Sequence, residues 1–215
     1  NNMVYIVEAD KLDVISQIEY EEDNKRFSPT EIYINNNKLV VLGNYSEYET
    51  VNNSDNTEEV VTDYIDVKTK TAAKAIVYDI SDKSEPKITR EVGLDGYYTN
   101  SRMIGENLYF ISTKSLYYYD NIEEVEILPY VQDSIMPKET KTIECTDIAY
   151  FKDSKSYSYM LVGGFNINND EEVNVETFFG ASDIVYASEK NLYITRTVYS
   201  DEYIVGKTEI YKFNL

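Results

Sequence analysis

The sequence predicts an all-β fold, a β-propeller of four-stranded antiparallel blades of which about three are present. Three observations predict it. Short apolar runs of strand length alternate with Asp, Ser, Pro, Gly and Asn. The runs recur in a fixed order. No stretch carries a helical period of any length. The pattern is clearest in Ile76–Ser112, IVYDISDKSEPKITREVGLDGYYTNSRMIGENLYFIS, which holds the runs IVYDI, KITREV, SRMIG and NLYFIS. Weaker copies flank it: VYIVEADKLDVISQIEY with TEIYINNNKLVVLG before, and MLVGGFNINNDEEVNVETFFG with SDIVYASEKNLYIT after.

Taken in order, Met3–Glu8 and Val14–Glu19 read as the third and outer strands of a partial blade, joined by the polar turn Asp10-Lys11. Glu21–Arg26 reads as a charged link. Glu31–Ile34 and Lys38–Asn44 read as the inner and second strands of a full blade around the turn Asn35-Asn36-Asn37. The polar Ser46–Asp63 reads as a mobile loop. Lys74–Ile80 and Lys87–Val92 complete that blade, with Pro86 at a strand entrance where its missing N–H costs nothing. Ser101–Ile104 and Leu108–Ser112 begin the next blade around Gly105-Glu106-Asn107, and Thr113–Ser156 is an insertion with a strand-like run at Asp147–Phe151. Tyr157–Asn166 and Val173–Phe179 complete this blade. Asp183–Ala187, Asn191–Val198 and Thr208–Phe213 form a last partial one. The expected organisation is one propeller segment over residues 1–215. It comprises a partial blade at 1–20, blades at 28–95 and 98–180 (insertion 113–156) and a partial blade at 181–215.

Period-two alternation sends one set of side chains to each neighbouring blade. It predicts burial of Ile32, Ile34, Leu39, Val41, Ile76, Tyr78, Ile104, Leu108, Phe110, Leu161, Val185, Leu192 and Ile194. Closed propellers need at least about four blades, so open sheet edges are expected, and open edges are templates for pairing into a homodimer. The chain opens two residues before an apolar run and closes on another, IYKFNL, which reads as a piece of a longer polypeptide.

Composition narrows function by exclusion. Asp plus Glu number 39 against 20 Lys plus Arg, a formal charge of −19. Such a surface repels phosphate backbones and anionic headgroups, so nucleic acid is not an expected partner. Calcium, basic proteins and neutral glycans stay open, as does acidity that serves solubility alone. No run approaches the roughly 18 apolar residues of a membrane span, so no membrane insertion is expected. With no histidine, Ser-His-Asp and Cys-His catalysis and Cys/His zinc sites are excluded. Cys145, the one cysteine, reads as a small strand residue, and Gly163-Gly164 as a close-packing site or bulge. The 22 tyrosines and absent tryptophan suit pleated surfaces whose hydroxyls reach water.

The motifs IVYDISDKSEPKI and SRMIGENLYFIS, and the run from ECTDIAYF through LVGGFNIN to FFGASDIVYASEKNLYITR, carry a resemblance over roughly Lys74 to Leu215. There the chain resembles a bacterial and archaeal family of secreted proteins with a C-terminal β-propeller distantly related to WD repeats. The resemblance implies the fold, export and an extracellular or cell-surface setting. It brings no activity and no binding residues.

Three constellations remain. The inner-strand starts TEIYI, SRMIG and SDIVY align Glu31, Arg102 and Asp183 at one position. Two carboxylates beside an arginine serve either as acid, base and orienter of a carbohydrate-active hydrolase or as an ion-paired ring at the channel mouth. Asn166, Asn168, Asp170 and Glu172 alternate in a turn, a spacing that suits calcium or an ordinary Asn/Asp-rich hairpin. Strand parity puts both long insertions between second and third strands, on one face, where Tyr117, Tyr118 and Tyr119 are the expected contacts for a protein or glycan of the cell envelope. No bound cofactor other than calcium is expected. The expected function is a non-catalytic binding or scaffolding module, with the hydrolase as its alternative.

Overall fold

A computed structural model describes residues 2–51, 66–116, 127–151, 154, 156–180, 185–188, 191–198 and 207–214. β1 (Met3–Val7) and β2 (Val14–Glu19) form a hairpin. β3 (Glu21–Glu22), β4 (Lys25–Asn35), β5 (Lys38–Val51), β6 (Asp66–Asp79) and β7 (Lys87–Asp95) pair in sequence order as the body of a second sheet. β8 (Tyr97–Ile104) and β9 (Asn107–Ser115) open a third. β10 (Tyr130–Asp133) and β11 (Thr140–Thr142) then return to the second sheet, where β10 pairs with β7. β12 (Ile148–Tyr150), β13 (Ser158–Asn166) and β14 (Asn174–Phe179) complete the third, in the order β12-β14-β13-β9-β8. β15 (Val185–Ala187), β16 (Asn191–Val198) and β17 (Lys207–Asn214) form a fourth. The pairings are antiparallel except β12 with β14, which is parallel.

The central strands of the second and third sheets are apolar on both faces because each of these two sheets packs on two neighbours. On β5, Leu39 and Val41 face one way and Val40 and Leu42 the other, and all four are buried. Val40, Leu42, Val77 and Leu94 of the second sheet meet Leu108, Phe110, Leu161 and Phe165 of the third. Leu39, Val41, Ile76 and Tyr78 carry the β1–β2 hairpin through Val4, Ile18 and Tyr20. Ile111, Met160 and Val162 of the third sheet meet Ile194 of the fourth, with Phe151 between Phe178 and Tyr211 at ring distances of 5.9 and 4.5 Å. The four sheets therefore stack face to face in chain order. This is the radial packing of a partial β-propeller.

Tight turns set the registers. Asn36 takes a positive φ of 51° between β4 and β5, and Gly105 one of 61° between β8 and β9. Gly96 alone carries the chain from β7 to β8 at φ 97°, and a Cβ there would lie 2.5 Å from the Thr113 carbonyl oxygen.

Four expectations are corrected. Glu21–Arg26 is not a bare link, because β3 folds back on β4 with Glu21 opposite Arg26. Ser46–Val51, expected as part of a loop, is strand: alternation in YSEYETV lets β5 run to Val51, paired with Asp66 of β6, and the rest of the expected loop lies outside the described residues. Part of the Thr113–Ser156 insertion is sheet, since β10, β11 and β12 cap the outer edges of two blades. Ile32 and Ile34 are 51% and 67% exposed. They lie opposite Val41 and Leu39 on the hairpin-facing side of β4, and the hairpin has no strands there to cover the inner strand. Leu39, Val41, Ile76, Tyr78, Leu108, Phe110, Leu161 and Ile194 are buried and Ile104 half-buried. The side chains of Val185 and Leu192 lie outside what is described.

Candidate functional site

The chemistry nearest the inner strands gathers on Glu31. Alternation along β4 turns Ile32 and Ile34 outward and Glu31 and Tyr33 toward the third sheet. From that sheet come Tyr98 and Ser101, an odd spacing that would ordinarily place them on opposite faces. A bulge between Tyr98 and Asn100 corrects the parity, so Tyr98 stands opposite Ser112 and Ser101 opposite Phe110, on one face.

Glu31 thereby accepts three hydroxyl hydrogen bonds. Ser101 Oγ donates to Oε2 at 2.7 Å, Tyr33 donates to Oε1 at 2.8 Å, and Tyr98 donates to Oε2. Tyr98 and Tyr33 also lie 2.8 and 3.1 Å from Ser101 Oγ. The cluster is braced on both sides: Asn44 Oδ1 accepts from the Tyr98 N–H at 2.8 Å, and Asn35 Nδ2 donates to the Gly105 carbonyl at 2.8 Å. Burial pushes the Glu31 carboxyl up. The hydrogen bonds from Tyr98, Ser101 and Tyr33, with the charge of Arg102, outweigh it and hold the group below the usual carboxylate range. Burial and the Glu31 charge push the Tyr98 phenol well up, so it stays a donor. An ionised carboxylate that is already accepting from three donors is a poor proton donor and has little capacity left for a water.

Arg102 is not the positional equivalent of Glu31. The hairpins close on Asn35 with Lys38 and on Ile104 with Asn107, and counting back from these pairs makes Arg102 equivalent to Tyr33. Arg102 pairs with Tyr109 and takes the face of its sheet opposite Ser101. Among the described residues no ion pair joins it to Glu31. Asp183, and Tyr117, Tyr118 and Tyr119, lie outside the described residues.

The Asn166–Glu172 turn converges on a cation, but a built-in one. Arg90, 4% exposed, donates to the carbonyls of Asn166, Asn169 and Glu171 at 3.4, 3.2 and 2.7 Å. It also clasps the fully buried Asp133 through Nε and Nη2 at 3.1 and 2.7 Å, and its guanidinium carbon lies 4.5 Å from the Phe165 ring centroid. Asp133 accepts further from the Val173 N–H at 3.0 Å. Asn166 Oδ1 accepts from the Asn168 N–H at 2.9 Å, the ordinary Asx turn. Among the described residues no group of three or more His, Cys, Asp or Glu is placed to hold a metal ion, nor is any helix long and apolar enough to cross a membrane.

Residues 52–65 and 117–126, which hold most of the two expected insertions, lie outside the described residues. Tyr130, at the start of β10, donates to the carbonyl of Thr71 on β6 at 3.0 Å. Sequence reasoning missed Tyr33, Tyr98 and Ser101 around Glu31, and the Arg90–Asp133 pair. Tyr33 was legible as the next same-face residue after Glu31. Tyr98 was hidden by the bulge.

A family model described as a β-propeller domain matches residues 1–215. No curated protein and no solved structure matches the chain.

Proposed function

The chain belongs to the β-propeller domain family, and from that premise we propose that it is a non-catalytic binding or scaffolding module of an exported cell-envelope protein. The observation that carries the reading is the state of Glu31. It is the inner-strand carboxylate that a hydrolase of this architecture would use. Its oxygens are instead occupied by Tyr33, Tyr98 and Ser101 and its proton is held off. A residue so engaged joins two blades; it does not cycle protons.

The partner is a protein or glycan of the envelope, met on the face to which strand parity assigns both insertions. Tyr117, Tyr118 and Tyr119 are its contacts, since tyrosine brings area at little entropic cost. Open sheet edges give a second copy of the chain a place to pair: among the described residues β17 pairs along one edge only, with β16. Co-sedimentation with native cell envelopes tests the reading. The wild-type chain is expected to pellet saturably, and replacement of all three tyrosines by serine to weaken retention at least about tenfold, the loss of a hot-spot cluster. Equal retention of both forms rejects the face.

A further inference from the structure

We propose that two copies of the chain stack head to tail, the outer face of each β1–β2 hairpin covering the outer face of the other copy's fourth sheet. This goes beyond the envelope partner and beyond edge pairing, and rests on neither. Three sheet-on-sheet contacts already hold one chain together, and each end of the stack presents a further face of the same kind. Every residue of β1, MVYIV, is apolar, the pattern of a strand covered on both faces. Its Val4, paired with Ile18, faces the second sheet. Alternation turns Tyr5 and Val7 the other way, with Val14 opposite Val7, and all three are exposed, Val14 at 58%. At the far end Ile194 and, opposite it, Tyr211 pack on the third sheet. Tyr193 and Ile210 therefore turn away from that sheet, and Tyr186 joins Tyr193 there at a ring distance of 6.3 Å. Tyr186 is exposed and Ile210 is 68% exposed.

Two features select a second copy over an unrelated partner. The first is number. Both faces belong to one chain, so two copies cover both ends of both chains at once, whereas a foreign partner covers one end of one chain. A head-to-tail contact gives a ring where its rotation closes. Each chain brings four sheets, so two copies stay within the roughly four to eight blades of closed propellers. The second feature is charge. Glu19 lies on the outer face of the hairpin, opposite Met3, and Lys212 on the outer face of the fourth sheet, opposite Tyr193. A chain of formal charge −19 repels its own copy over most of its surface. Association is therefore favoured only where apolar area meets apolar area and the few charges are of opposite sign, as at these two faces.

The test is equilibrium ultracentrifugation of the full chain over a micromolar concentration series. The wild type should approach twice the 24.9 kDa of one chain and go no higher. Val7→Lys on the hairpin and, separately, Ile210→Lys on the fourth sheet should each raise the dissociation constant at least about tenfold. An equimolar mixture of the two variants should regain association, because each then offers the face that the other lacks. A thermal melt of each variant confirms that it is folded; Tyr5→Ala, a milder change on the same hairpin face, keeps the test alive should Val7→Lys not fold. A monomeric wild type, or a mass beyond two copies, overturns the inference. So does association indifferent to both substitutions, which would move the contact to the sheet edges. Loss with only one of the two substitutions, or a mixture that stays monomeric, overturns the head-to-tail arrangement. Envelope co-sedimentation is read separately, and its failure leaves these masses unchanged.

Discussion

At the scale of single residues, Glu31 illustrates how the fold disposes of charge near its inner strands. A half-buried carboxylate is stabilised only if its lone pairs are filled, and two tyrosines and a serine fill them. Glu31→Gln keeps the shape but loses the ionic acceptor, and should lower stability by about 1–2 kcal/mol in a denaturant melt. The pH dependence has a definite sign. The folded carboxyl ionises at lower pH than the unfolded one, so its stabilisation is complete above the unfolded value and is lost as pH falls through the folded one. The wild-type chain should therefore lose midpoint steeply on acidification below the ordinary glutamate range, and Glu31→Gln should flatten that slope. An identical slope in the two proteins would contradict the assignment. Glu31 was legible in the sequence as an inner-strand charge. Its partners were not, because a one-residue bulge at Tyr98–Asn100 inverts which side chains share a face. Arg102 was misaligned because the two turns differ, three asparagines against Gly-Glu-Asn, and only the closing pairs reveal the register.

Elements show the same division. Strands such as Lys38–Asn44 and Leu108–Ser112 were legible from apolar runs and punctuating turns, and β5 and β9 contain them. What sequence did not reveal is the return of β10 and β11 to the outer edge of the preceding blade. Capture of an edge by a distant segment depends on which edge is free, and that is a property of the assembled sheet. The capture is fixed by Arg90 on β7 and Asp133 on β10, both buried, with the β13–β14 turn held by the same guanidinium. Asp133→Ala should cost about 3–5 kcal/mol, because it leaves a buried guanidinium unpaired. Arg90→Met with Asp133→Leu should recover much of that loss in the same chemical-denaturation experiment. A mild effect of the single substitution would show that the β10 strand is not anchored there. Gly43 is a second fixed point: a Cβ would lie 2.0 Å from the Ser28 carbonyl oxygen, at the bulge between Pro29 and Glu31. Gly43→Ala should destabilise by at least about 1–3 kcal/mol through overpacking.

For the whole molecule, stacked sheets imply an asymmetry between faces that differ little in sequence. Leu42 is sealed between the second and third sheets, whereas Ile34 stands 67% exposed on the far side of the second. Leu42→Ala should cost about 2–5 kcal/mol and Ile34→Ala within about 0.5 kcal/mol; equal penalties would refute the stacking order. The alternation that predicted Ile34 as core was correct about period and silent about whether a neighbouring sheet reaches that strand. The account of function turns on whether the inner-strand carboxylate is structural or chemical. The most direct measurement is reducing-end release from native cell envelopes, compared between the wild-type chain and Glu31→Gln at a temperature where both are folded. The account predicts no release above background by either protein, with envelope retention the same for both. Sugar released by the wild type and abolished by Glu31→Gln, with retention unchanged, would contradict it.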